Sequence, residues 1–147
     1  MAKRYPAPTK YTMKNPEKYA GDVNNIVLRS SWERKFMIFC DLNPSVLLVL
    51  SESVAIPYYS MVDNKTHRYF PDFMIKIQTP RGEIKKLMVE IKPHAQTICP
   101  KPKKNSKKYL TEMATYTVNS AKWAAAEKFC EKNGFEFLLM TEEHLKV

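Results

Sequence analysis

At 147 residues the chain is one domain's worth, long enough to bury a single sizeable core. Its 24 Lys and Arg against 15 Asp and Glu leave a formal charge of +9, which favours a polyanionic partner, and nucleic acid fits better than an anionic membrane because the basic segments are rich in Pro and Tyr and lack amphipathic repeats. No stretch approaches a membrane span and no apolar run marks a secretory signal, while Cys40, Cys99 and Cys130 without CxxC spacing and the scattered His67, His94 and His144 argue against a disulfide framework and a structural zinc.

Residues 1–23 mix lysine and arginine with prolines and with tyrosines at 5, 11 and 19, and show neither helical nor strand periodicity. They are expected to form an extended basic arm ahead of a domain spanning 24–147. Such an arm would lie along a phosphate backbone or drape over its own domain with the tyrosines as anchors. Ser30 followed by Glu33 is a capping-box signature that opens a helix over 30–42, with Trp32, Phe36, Phe39 and Cys40 facing the core. On these residues alone the Glu33 carboxylate is a cap. Asn43-Pro44 stops the helix.

Val46–Leu50 reads as a buried strand, residues 53–60 as a second strand that Pro57 marks as an edge, and Asp63-Asn64-Lys65 as the next turn. An antiparallel meander is expected, ending in a hairpin of residues 68–78 and 84–92. With Pro80, Arg81 and Gly82 as its loop, Thr79 pairs with Glu83 and Asp72 lies opposite Glu90. Strand alternation then sorts Phe73, Ile75, Ile77, Leu87, Val89 and Ile91 onto a core face, and Asp72, Met74, Met88, Glu90 and Lys92 onto the other. Two carboxylates that close repel unless a cation or shared proton intervenes. Mg²⁺, with Mn²⁺ as substitute, is the simplest occupant, and Lys92 would orient an attacking water. A solvated face with cross-strand ion pairs is the competing reading.

Beyond Lys92, residues 93–108 form a Pro- and Lys-rich loop suited to clamping a polyanion through Lys101, Lys103, Lys104, Lys107 and Lys108, with Arg68 and His67 on the strand side and His94 and Gln96 near enough to join. A helix is expected over 109–117, and a second one, capped by Asn119 and ended by Gly134, with Trp123, Ala126, Phe129 and Cys130 as its stripe. Lys122 lies off that stripe, toward solvent or substrate. Residues 135–140 read as a buried strand and Thr141-Glu142-Glu143 as a short helical turn.

Pro71-Asp72 followed by Glu90-Ile91-Lys92 resembles the PD-(D/E)xK nuclease pattern, and Ser31-Trp32-Glu33 resembles the helix that brings a third acid to that site. The order of parts resembles the TnsA-type transposon endonucleases and, over almost the whole chain from about Lys14, the head-completion nucleases of contractile-tailed bacteriophages. The resemblance implies an α/β, restriction-endonuclease-like mixed central sheet flanked by helices. It implies a metal-dependent endonuclease in which Glu33, Asp72 and Glu90 hold Mg²⁺ and Lys92 positions the water, while charge and position make Arg68, Lys101, Lys103, Lys104, Lys107, Lys108 and Lys122 the expected contacts to double-stranded DNA. It further implies work at the packaged DNA end beside portal, neck or tail-connector proteins, in the virion and the host cytoplasm, with no membrane. The alternative is a catalytically silent neck component that binds DNA and protein through the same fold.

Overall fold

The computed structural model describes residues 8–51, 54–101 and 106–145. Short strands β1 (Thr9–Lys10) and β2 (Val27–Leu28) pair ahead of helix α1 (Ser31–Leu42). Strands β3 (Val46–Ser51), β4 (Ile56–Ser60), β5 (Lys65–Tyr69), β6 (Phe73–Gln78) and β7 (Ile84–Ile91) follow, then helix α2 (Lys107–Asn133), strand β8 (Glu136–Met140) and helix α3 (Glu142–Leu145). The central sheet has the order β3-β6-β7-β8, antiparallel except for the parallel β7/β8 pair. Helices pack on both faces, so the expected mixed α/β architecture is present.

The hairpin has the expected register. Phe73 faces Val89, Gln78 faces Ile84, and the Thr79 amide donates to the Glu83 carbonyl at 2.8 Å across a loop in which Gly82 takes φ 84°. On one face Phe73, Ile75, Val89 and Ile91 join Phe36, Met37 and Cys40 of α1 with Ile26 and Leu28. On the other, Met88 packs with Ala126 and Cys130 of α2 and with Ile56 and Tyr69. Strand β7 is therefore covered on both sides, and its acid is buried with it.

Several expectations fail, among them the buried strand over 135–140, since β8 lies at the edge of the sheet with Leu138 40% exposed. The meander does not form, because β3 pairs with β6 while β4 and β5 make a separate hairpin. Pro57 in β4 has no amide for a second neighbour, and Pro71 breaks the predicted strand of 68–78 between Tyr69 and Phe73. Asn119 caps nothing: α2 runs unbroken from Lys107, capped instead by Ser106, whose hydroxyl accepts from the Tyr109 amide at 3.1 Å. Lys107 and Lys108 accordingly open a helix and are not loop residues. Phe39, expected in the core, is 53% exposed, because the buried stripe of α1 runs through Phe36, Met37, Cys40 and Asp41.

Residues 8–23 lie against the domain. Tyr11 Oη and the amides of Lys14 and Asn15 donate to the buried Asp41 carboxylate, at 2.7, 2.8 and 2.9 Å. Lys18 Nζ donates to the carbonyls of Cys40, Asp41 and Asn43, closing the C-terminus of α1 where a cation complements the dipole. Tyr19 bridges to Val49 and so covers the outer edge of β3.

Candidate active site

Two corners of the backbone converge on Glu90. The chain leaves β5 at Tyr69, turns through Phe70 and Pro71, and enters β6 at Phe73. Tyr69 Oη donates to Glu90 Oε2, in a buried contact, and Asp72 sits on the far side of the turn. The Ile91 amide donates to Asp72 Oδ2 at 2.8 Å. Asp72 is thus held by the main chain of β7, and Glu90 by the Tyr69 hydroxyl. Lys92 Nζ lies 3.7 Å from Glu90 Oε1, two residues on and on the same side of β7. Its amide continues the β7/β8 ladder by donating to the Met140 carbonyl at 2.9 Å.

The electrostatics match that geometry. Burial, and then the neighbouring Glu90 charge, push the Asp72 carboxyl well above the usual range, with Glu33 adding a smaller push. Burial likewise raises Glu90, against the lowering pull of Tyr69, Lys92 and Lys122. Two acids that resist ionising side by side form a strong demand for a cation. Asp72→Asn removes one charge and keeps an oxygen for the Ile91 amide. In EDTA at pH 7 it should melt roughly 2–4 °C above the natural protein, for a gain of ~1 kcal/mol. An acid whose folded pKa is raised destabilises the fold when ionised, fully above that pKa and not at all below its unfolded value. The gap should therefore close as pH falls toward ~4, which thermal melts across pH would read.

The donor set fits a hard divalent ion. Both acids offer oxygen, and Mg²⁺ is commonly bound by one or two carboxylates, with water and phosphate oxygens completing the shell. Among the described residues no group of three or more His, Cys, Asp or Glu is placed to hold a metal. Glu33, expected as the third acid, opens α1 with its amide donating to Ser30 Oγ at 3.1 Å and its Oε2 accepting from the Arg29 amide at 2.9 Å. It reaches Asp72 through its field. Cys40 and Cys130 are not poised as nucleophiles, since burial pushes their thiols up to about 12 and about 11.

The remaining candidates divide. Lys122 comes to the site: it is half-buried on α2, with its ammonium 5.8 Å from the ring centres of both Tyr58 and Tyr69. Lys101, Lys107 and Lys108 line a groove of about 1280 Å³ between the segment 92–101 and α2, which Lys92, Gln96, Asn119 and Lys122 also border. Lys103 and Lys104 lie outside the described residues. Arg68 is exposed beside Phe70, on the face of β5 opposite Tyr69. His67 contacts Asp63 at 2.6 Å and stacks on Tyr58, away from the acids, and the His94 amide donates to the Glu142 carboxylate at 2.8 Å. Tyr69 is the site residue that sequence reasoning passed over. Its signal was its place three residues before Asp72, across a proline corner.

The family model for the TnsA-like endonuclease N-terminal domain matches residues 43–142, a span that includes Asp72, Glu90, Lys92 and Lys122 and begins after Glu33. A head completion nuclease of Enterobacteria phage T4 is 36% identical over 142 residues, covering 93% of this chain and 92% of the relative.

Proposed function

Because the chain belongs to the TnsA-like endonuclease family, we propose that it is a Mg²⁺-dependent endodeoxyribonuclease that hydrolyses phosphodiesters at the packaged DNA end during phage head completion. The observation that carries this reading is the buried acid pair itself, in which the Ile91 amide holds Asp72 and the Tyr69 hydroxyl holds Glu90. A purely structural neck protein has no use for two buried acids raised against each other, whereas a hydrolase that binds a divalent ion does.

In this reading Asp72 and Glu90 would hold the ion, with Glu33 adding negative potential from the start of α1. The ion would supply Lewis acidity toward the phosphoryl oxygen and a lowered pKa for bound water. Lys92 would orient the attacking water and offset charge growing on phosphorus. Tyr69 would keep the Glu90 carboxylate turned toward the ion, as hydrogen-bonded partners of metal-binding carboxylates do. Water then adds to phosphorus as the bond to the leaving oxygen breaks, with no enzyme-bound intermediate. Lysines 101, 103, 104, 107 and 108 would track the phosphate backbone, and virion neck or portal proteins would be the neighbours in the assembling head.

Supercoiled plasmid incubated with the protein tests the reading. Nicked and linear products should appear with Mg²⁺ or Mn²⁺ and vanish with EDTA, while intact plasmid under all three conditions would leave the structural role. Tyr69→Phe should slow cleavage by about 10–100-fold with DNA affinity in EDTA unchanged, as measured by initial rates and fluorescence anisotropy.

A further inference from the structure

We propose that Asn119 and Lys122, one turn apart on α2, form a phosphate-binding subsite that grips the reacting phosphodiester from the helix side of the Asp72 and Glu90 pair, giving the site a second amine beside Lys92. This inference rests on the nuclease reading above and extends it to residues outside the PD…ExK pattern.

Three observations carry it. Lys122 is half-buried, yet among the described residues it makes no ion pair with a carboxylate, and its named contacts are the faces of Tyr58 and Tyr69. An ammonium withdrawn from water needs more than two ring faces to offset its lost hydration. Tyr69 also links it to the acids, since the ring under Lys122 carries the hydroxyl that donates to Glu90. Lys92 and Lys122 border one groove, and the charges of Lys92, Glu90 and Asp72 all act on Lys122.

Asn119 supplies the second observation. It is 4% exposed, and its Nδ2 has no hydrogen-bond partner among the described residues. A buried amide donor left unpaired costs about 1–3 kcal/mol, so it calls for an oxygen from a ligand or a buried water to complete it. Asparagine is also a poor residue for the middle of a 27-residue helix, where it caps nothing. Third, Asn119 and Lys122 border the same groove as Lys92, Lys101, Lys107 and Lys108, and residues three apart share a helix face. A groove with five lysines and one unmatched amide donor suits a chain of phosphates better than a neutral or cationic ligand.

The test uses the full chain, with a labelled DNA duplex as the probe. In EDTA, where nothing is cut, Lys122→Met should lower the slope of log affinity against log salt by about one phosphate contact, and Lys122→Arg should restore it. With Mg²⁺, Lys122→Met should lower kcat by about 10²-fold with little change in KM, and Lys122→Arg should recover part of that loss. Asn119→Leu should lower kcat by about 10-fold while leaving the melting temperature equal or higher, because an orphaned polar group has been replaced by an apolar one. Should Lys122→Met fail to fold, Lys122→Gln reports the same two readouts.

A Lys122→Met protein with the natural salt slope and kcat overturns the subsite and leaves Lys122 as packing on two tyrosines. An Asn119→Leu protein that melts lower but cuts at the natural rate does the same for Asn119, pointing to a buried water. If Asp72→Ala also cuts at the natural rate, the nuclease reading falls and takes the subsite with it. If Asp72→Ala is dead while both α2 variants are unaffected, the subsite alone is wrong.

Discussion

Asp72→Ala, Glu90→Ala and Lys92→Ala should each reduce Mg²⁺-dependent plasmid cleavage by at least ~10³-fold, while each variant still binds DNA in EDTA. The first two remove half of a buried carboxylate pair in which the Ile91 amide fixes Asp72 and the Tyr69 hydroxyl fixes Glu90, so no rearranged side chain can replace the lost oxygen. Lys92→Ala leaves both acids in place but takes away the ammonium 3.7 Å from Glu90. Lys92→Arg should rescue it poorly, since a planar, permanently charged fork does not substitute for a compact amine at a water-positioning site. The losses should also be non-additive: the double variant Asp72→Ala/Lys92→Ala should be little worse than Asp72→Ala alone, because the residues act as one unit. Equal nicking by the natural protein and all three variants would assign the activity to a contaminant and return the protein to a structural role.

Asp41→Ala should be the most destabilising single change outside the site, by about 3–5 kcal/mol and a Tm loss on the order of 10 °C. Asp41 is fully buried near the C-terminus of α1, where the helix dipole disfavours an acid. It persists there because Tyr11 Oη, the Lys14 and Asn15 amides and Asn15 Nδ2 all donate to it. Alanine would strand those donors and detach residues 8–19 from α1. Burial alone would raise this carboxyl, but the hydrogen bonds from Lys14, Tyr11 and Asn15 outweigh it and hold it below the ordinary value. A lowered folded pKa contributes stability that is present above the unfolded value, ~3.9, and is lost as pH falls through the folded one. Thermal melts should therefore show Asp41→Ala converging on the natural protein at strongly acid pH. Asp72→Asn converges too, but from the opposite side, since its excess stability disappears.

The organising hairpin was legible because its determinants are local: the Pro-Arg-Gly loop sets the register, and alternation follows from it. The placing of Asp72 beside the Glu90 end of β7 followed from that register. What escaped depends on long-range packing. The β4/β5 hairpin reads like the next strands of a meander, and only the turn at Pro71 sends it over the other face of the sheet, where it delivers Tyr69 to Glu90. Asn119 reads as a cap because asparagine usually is one, and nothing nearby tells that the helix continues past it. Lys122 looks like any surface lysine until Tyr58 and Tyr69 fold beneath it. Asp41 gave no signal, since its partners lie 26 to 30 residues upstream, in a segment without periodicity.

Diffraction from crystals grown with Mn²⁺, recorded at the manganese absorption edge, tests the central claim most directly. An anomalous peak should lie within coordination distance, about 2.0–2.2 Å, of a carboxylate oxygen of Asp72 and one of Glu90, and it should vanish in Asp72→Asn crystals. A peak elsewhere, or none, from protein that still cuts DNA would contradict the assignment of these two acids as the ion's seat.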